Sequence, residues 1–175
     1  MRIIAGRWRG HGIAAPPGER TRPTTDRVRE AWMSMMQTVL PDARVLDLFA
    51  GSGGLGLEAL SRGARHATFV ERSGVALRTL RANVKKLGAE AETSVVKGDA
   101  LEFAEAVEPG RYDIVLADPP YGSGDADALA RLFLRRPFAD TLWIEHRVND
   151  PLPDAEGSDT RRYGDTLITR YLAPE

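Results

Sequence analysis

Between Val45 and Glu145 the chain alternates short apolar runs with longer amphipathic ones, and that rhythm limits the fold more than any other feature. The apolar runs Val45–Phe49, Ala67–Glu71, Thr93–Lys97, Tyr112–Ala117 and Thr141–Glu145 have the length of buried strands. Between them lie helical patterns. One spans about Leu55–Arg62 and stops at Gly63; a second begins beyond Ser73, a natural cap, and stops at Gly88. Leu101–Val107 and Asp125–Arg135 complete the series. Strands that alternate with helices form a mostly parallel sheet covered on both faces, so the fold class is α/β. Two further runs, Arg161–Tyr163 and Thr166–Leu172, flank the turn pair Gly164-Asp165 and predict a closing antiparallel hairpin.

Upstream, Val28, Ala31, Trp32, Met35, Met36 and Val39 fall at helical spacing, with Thr25 as the predicted N-cap and Pro41 as the stop. Residues 1–23 are rich in Gly, Pro and Arg, with short strands expected at Arg2–Ala5 and His11–Ala14. The expected organisation is a basic extension over residues 1–24 and a single domain over 25–175, with the stretch 148–160 a loop inside it.

The net charge of −1 conceals a polarity. Residues 1–30 hold seven arginines against three acids, a balance of +4, which leaves −5 on the remainder. A basic head suits a phosphate backbone, with Arg7, Arg9, Arg20, Arg22 and Arg27 as the candidate contacts and Trp8 as a stacking platform. The competing reading is a solvated arm. Cysteine is absent, so neither a disulfide nor a thiolate metal site is available and the cytoplasm is the expected setting. His11, His66 and His146 have no metal-ligand spacing, and no metal is expected. Neither a secretion signal nor a membrane span is present in the pattern. Trp143, Phe133 and Phe138 read as core, and no apolar stripe calls for a protein partner, which suggests a monomer.

In sheets of this kind ligands bind beyond the carboxyl ends of the strands. Four successive strands here deliver an acid to that rim: Asp47, Glu71, Asp99 and Asp118. Each taken singly also reads as a helix cap or a solvated terminus. Gly51-x-Gly53-x-x-Gly56 follows the first strand, with Glu71 twenty residues past Gly51, which is a dinucleotide-type loop. Asp47 argues against a dinucleotide, because it lies where a pyrophosphate would sit and like charges repel. A cationic adenosine ligand, S-adenosylmethionine, fits instead. Glu71 then suits two ribose hydroxyls, Asp99 the adenine amine, and Gly51 and Gly53 a close backbone approach to the methionine part.

The fourth strand runs into Asp118-Pro119-Pro120-Tyr121. Two prolines make a stiff corner that offers acceptors and no N–H of its own. An exocyclic amine could be gripped by the Asp118 carboxylate and the Pro119 carbonyl, with its ring stacked on Tyr121. The grip would localise the nitrogen lone pair for methyl transfer, with rate coming from positioning and electrostatics. The corner specifies only a planar amine. A DNA adenine or cytosine amine, or a protein glutamine amide, fits it as well as an RNA base. A NAD-binding oxidoreductase and a catalytically silent RNA-binding module are the alternatives from other classes.

These residues together resemble a known family. Arg2-Ile3-Ile4-Ala5-Gly6, Arg22-Pro23-Thr24-Thr25-Asp26-Arg27-Val28-Arg29-Glu30, Asp47 to Ser61, Asp118 to Tyr121 and Tyr163-Gly164-Asp165-Thr166 are similar to the bacterial 16S ribosomal RNA guanine-N2 methyltransferases of the D type, within the class I S-adenosylmethionine-dependent enzymes. The resemblance runs from Arg2 to about Tyr171. It implies a Rossmann-like sheet of seven strands with the last antiparallel, and 16S ribosomal RNA in an assembling or assembled small subunit as the substrate. It also places the Arg22–Glu30 segment near the cofactor and the RNA, and implies cofactor contacts along Asp47, Phe49, Ala50, Gly51, Ser52 and Gly53, at Glu71, Asp99, Ala100 and Asp118, and at Thr24 and Thr25 near the methionine end.

Overall fold

The computed structural model describes residues 1–18 and 23–175, with side chains described for residues 1–18 and from Asp26 onward. Seven strands form one sheet: β1 (Arg44–Leu48), β2 (His66–Glu71), β3 (Thr93–Lys97), β4 (Tyr112–Ala117), β5 (Ala139–Arg147), β6 (Asp159–Tyr163) and β7 (Thr166–Leu172). Their spatial order is β3-β2-β1-β4-β5-β7-β6. The neighbours from β3 to β5 pair in parallel, and β7 runs antiparallel to both β5 and β6. The chain leaves β1 toward β2 and β3, then returns to place β4 on the other side of β1. That reversal opens a crevice at the carboxyl ends of β1 and β4.

Among the described residues the α-helices are α1 (Pro23–Met35), α2 (Gly54–Ser61), α3 (Gly74–Lys86), α4 (Ala100–Ala106) and α5 (Asp125–Arg135). Alternation along each strand sorts the core into two faces. Val45, Phe69, Ile114 and Leu116 bury against Trp32, Met33 and Met36, Leu57 and Leu60 of α2, and Leu77, Leu80 and Val84 of α3. Leu46, Leu48, Val115 and Ile144 bury against Ala104 of α4 and Leu129, Ala130 and Phe133 of α5. Phe133 meets Phe138 edge to face with centroids 5.4 Å apart, and Trp143 is buried, as expected of core residues. Ends of α2 and α3 follow the Schellman pattern at Gly63 and Gly88: Ala64 N–H reaches the Ala59 carbonyl, and Ala89 N–H the Val84 carbonyl. Ser73 caps α3 by accepting from Ala76 N–H.

Three local expectations are corrected. Helix α1 begins at Pro23, a residue suited to a first turn, so Thr25 lies inside the helix and is not its cap. It ends at Met35, where tighter turns take over, and Val39 is exposed beyond it. The two short N-terminal strands reduce to a single bridge between Arg2 and Gly12. Strand β5 is longer at both ends than its apolar run, because a central strand with a partner on each side extends into polar sequence.

The N-terminal segment is clamped to the body. Ile3 and Ile13 are buried in the first core face. The buried Glu58 of α2 accepts from the backbone N–H groups of Ile4 and Ala5 and pairs with Arg62. Ser61 Oγ donates to the Ala5 carbonyl and accepts from Trp8 N–H. Among the described residues, no helix is long and apolar enough to cross a membrane.

Candidate functional site

A cleft of about 510 Å³ opens at the carboxyl rim of the sheet. It is bordered by Asp47, Phe49, Ala50, Gly51 and Ser52 at and beyond the end of β1, Val70, Glu71 and Arg72 at the end of β2, and Gly98, Asp99 and Ala100 after β3. Asp118, Pro119, Pro120 and Tyr121 after β4 and Glu145 on β5 close it, with Met1 and Arg29 arriving from the N-terminal part. Four acids predicted from separate strands therefore share one space.

Asp47 is the most constrained of them. On β1 it shares the face of Val45 and so points toward α2, where Gly56 N–H donates to its Oδ2 at 3.0 Å. Contact this close needs a glycine: a Cβ on Gly56 would lie 3.1 Å from that oxygen and 2.4 Å from the Phe69 ring. Asp47 is 1% exposed, and its Oδ1 is buried without a hydrogen-bond partner among the described residues. Burial pushes its pKa up to about 8, against the opposing Gly56 bond and with a smaller push from Glu71. A carboxyl held this way rewards a cation that enters the cleft.

Glu71 spans the rim. Its Oε2 accepts from Gly51 N–H at 2.8 Å and its Oε1 from Ser73 N–H at 2.9 Å. Each carboxylate oxygen keeps a second lone pair for a ligand hydroxyl. Asp99 caps α4, its Oδ1 accepting from Glu102 N–H at 3.0 Å, so the cap and the rim position belong to the same residue. Ala50 N–H donates to the Val70 carbonyl and ties the glycine loop to β2. Phe49 takes a left-handed φ of 58°, a conformation that costs a bulky residue of order 1–2 kcal/mol and marks a strained loop. Gly53 does not border the cleft. It occupies the left-handed N-cap of α2, with the Leu80 side chain 2.4 Å from where a Cβ would stand.

At the other end, the β4–β5 register pairs Ala117 with Ile144 and so brings Asp118 beside Glu145. Tyr121 OH donates to Glu145 Oε1 at 2.7 Å. Burial first, then the Glu145 charge and hydrogen bond and the Asp118 charge, raise the phenol's pKa; burial also raises that of Glu145. The Arg147 guanidinium lies 4.3 Å from the Tyr121 ring centroid and covers one face of it. Tyr121 is still 45% exposed.

In the basic head, Arg7 pairs with Glu92 and stacks on Trp8 at 4.0 Å, while Trp8 packs in part against the core. Arg9 and Arg27 are exposed, with no ion pair among the described residues. Arg20 and Arg22 lie outside the described residues, as do the side chains of Thr24 and Thr25. His146 is buried between the Asp150 carbonyl and Thr169, and no cluster able to hold a metal ion occurs among the described residues.

Comparison with known proteins now bears on this site. The model of the family described as "conserved hypothetical protein 95" matches residues 1–171. The chain belongs to that family. It is 44% identical over 176 residues to the Bacillus subtilis protein YlbH, covering 97% of this chain and 91% of that one. It is 39% identical over 156 residues to ribosomal RNA small subunit methyltransferase D of Escherichia coli, covering 87% and 78%. Among solved structures, the Escherichia coli protein yhhF superposes with a TM-score of 0.83 at 36% identity, covering 98% of this chain and 97% of that one. The sheet described above is therefore that of Rossmann-like methyltransferases, as the family resemblance implied.

Several site residues of this family member carry no sequence signal. Asn83 of α3 is one: its Nδ2 donates to the Ser52 and Ala14 carbonyls and its Oδ1 accepts from Ala14 N–H, which joins the glycine loop to the N-terminal segment. Glu145 and Arg147 are the others, whereas Glu58 and Arg29 lie within segments that carry the family resemblance without a role of their own being read there. The carboxylate shelf at β5 could have been sought by asking which residue aligns with Asp118 across the sheet.

Proposed function

We propose that the protein transfers a methyl group from S-adenosylmethionine to the exocyclic N2 amine of a guanine in 16S ribosomal RNA. The observation that carries this is one cleft with a buried, half-partnered carboxyl at one end and the Asp118–Tyr121 corner at the other. The first end suits the cofactor. Asp47 Oδ1 is left without a partner among the described residues and can accept from an ammonium, Glu71 has lone pairs for ribose hydroxyls, and Asp99 keeps acceptor capacity for the adenine amine. When bound, that cofactor supplies an electrophilic methyl group on its sulfonium. Relatives named ribosomal RNA small subunit methyltransferase D, in Escherichia coli and at 37% identity in Haemophilus influenzae, support ribosomal RNA as the substrate class.

At the second end the residues do the positioning. Asp118 and the Pro119 carbonyl accept the two amine hydrogens and turn the nitrogen lone pair out of conjugation. The prolines hold those acceptors rigid. Tyr121 flanks the base with its free face, its hydroxyl fixed by Glu145 and its other face by Arg147. The base must leave its helix to reach the corner, and the exposed Arg9 and Arg27 serve as contacts for the flanking backbone in this reading. Within this reading residues 1–24 serve as an RNA-contacting extension of one catalytic domain that acts as a cytoplasmic monomer on small subunits.

The test is to supply labelled S-adenosylmethionine with small ribosomal subunits, naked 16S RNA and duplex DNA in parallel. Label is expected in the RNA, with subunits the better substrate. Label in DNA alone would replace this reading with that of a DNA amino-methyltransferase.

A further inference from the structure

Arg29 of α1 is 5% exposed and borders the cleft. Its Nη2 is committed, donating to the Arg2 carbonyl at 2.5 Å and to Asp26 Oδ1 at 3.3 Å. Its Nε and Nη1 are buried with no hydrogen-bond partner among the described residues. The nearby buried acid, Glu58, attracts the guanidinium, but Glu58 spends its oxygens on the Ile4 and Ala5 N–H groups and on Arg62. A guanidinium stays charged even when burial opposes it, so two of its three nitrogens are left wanting an acceptor.

The location of the unsatisfied end names the acceptor. A Cβ built on Gly54 would lie 3.4 Å from Arg29 Nη1, so that nitrogen sits over the first residue of α2. The N-cap Gly53 gives the helix no side-chain cap, and the N–H groups and dipole at a helix start favour an anion. Two residues further along the same helix, Gly56 meets Asp47. The start of α2 therefore presents a buried cation and a buried acid to the same end of the cleft. That pair is complementary to a zwitterionic α-amino acid: ammonium to the acid, carboxylate to the guanidinium.

We propose that Arg29 anchors the carboxylate at the amino-acid end of the cofactor, with Nη1 as the principal donor and the start of α2 assisting. The proposal rests on S-adenosylmethionine as the cofactor and not on which base is methylated. Because Nη2 holds the Arg2 carbonyl, one guanidinium links the N-terminal segment to the bound carboxylate.

The test is calorimetric binding of S-adenosylhomocysteine and of its decarboxylated counterpart, which keeps adenosine, sulfur and amine. Wild-type protein should bind the carboxylate-bearing ligand about 10- to 100-fold more tightly. Arg29→Met should lose that factor for S-adenosylhomocysteine and change affinity for the decarboxylated ligand by less than about 3-fold. Equal weakening of both ligands would make Arg29 a brace for the N-terminal segment and overturn the proposal. The wild-type comparison needs no variant, so it can overturn the proposal even if Arg29→Met misfolds, in which case the charge-keeping Arg29→Lys should retain part of the preference and an unchanged preference in it would make the start of α2 the anchor. Wild-type protein binding both ligands alike removes the role of Arg29 and leaves the cofactor in place. Binding of neither removes the cofactor assignment and the proposal with it.

Discussion

Replacing Asp47 with Asn tests how the cofactor end of the cleft is built. Asp47 is fully buried and its pKa is raised to about 8, against about 3.9 for an unfolded chain. Between those values the folded protein holds a proton that the unfolded chain has released, so stability falls as pH rises, by up to ~1.36 kcal/mol per unit. Stability from the protonated carboxyl is whole below pH ~4 and lost by pH ~8. Asparagine keeps an acceptor for Gly56 N–H and does not titrate. The stability advantage of Asp47→Asn over wild type should therefore grow by about 2.5 kcal/mol between pH 5 and pH 7. Urea denaturation of both ligand-free proteins at pH 5, 6 and 7 measures it. A difference that stays flat across that range would refute the claim that burial keeps this carboxyl protonated. The same variant should bind S-adenosylmethionine poorly, since an amide cannot answer an ammonium.

Three other perturbations probe the remaining parts. Glu71→Ala should weaken cofactor binding by ~1–3 kcal/mol, seen by calorimetry, because it removes ligand acceptors and also frees the Gly51 N–H that shapes the loop. Asp118→Ala should leave cofactor affinity close to wild type and remove methyl transfer in single-turnover assays; a comparable loss of binding would reassign Asp118 to the cofactor. Neutralising Arg9 and Arg27 should reduce the slope of log affinity for RNA against log salt by ~0.7 per charge, whereas Arg7→Ala should change it less, since Glu92 already balances Arg7.

Most of the sheet was legible because the central strands are short apolar runs, and because Gly98 and Asp118 close β3 and β4 while Gly164-Asp165 marks the turn between β6 and β7. Strands β3, β4 and β7 and helix α5 begin and end where the pattern places them. The rim acids were legible for the same reason, since each lies within two residues of the carboxyl end of its strand. What escaped was polar and long-range. Glu58 and Asn83 look like ordinary helix-surface residues until their partners arrive from 54 and 69 positions away. Arg29 sits in a charged stretch that reads as solvated, yet α1 turns it inward. Glu145 gains its meaning from sheet register alone, and Arg147 from a strand longer than its apolar core. The start of α1 was misjudged because threonine is a good cap in isolation, while the chain begins the helix at Pro23.

The central claim is that the Asp118–Tyr121 corner, served by the cofactor end of the same cleft, methylates a guanine amine of 16S RNA. Small subunits from cells lacking this protein, incubated with the purified enzyme and labelled S-adenosylmethionine, can be digested to nucleosides and separated. The account predicts that the label appears in N2-methylguanosine and disappears with Asp118→Ala. Label in N6-methyladenosine or N4-methylcytidine, or label that survives Asp118→Ala, would contradict it.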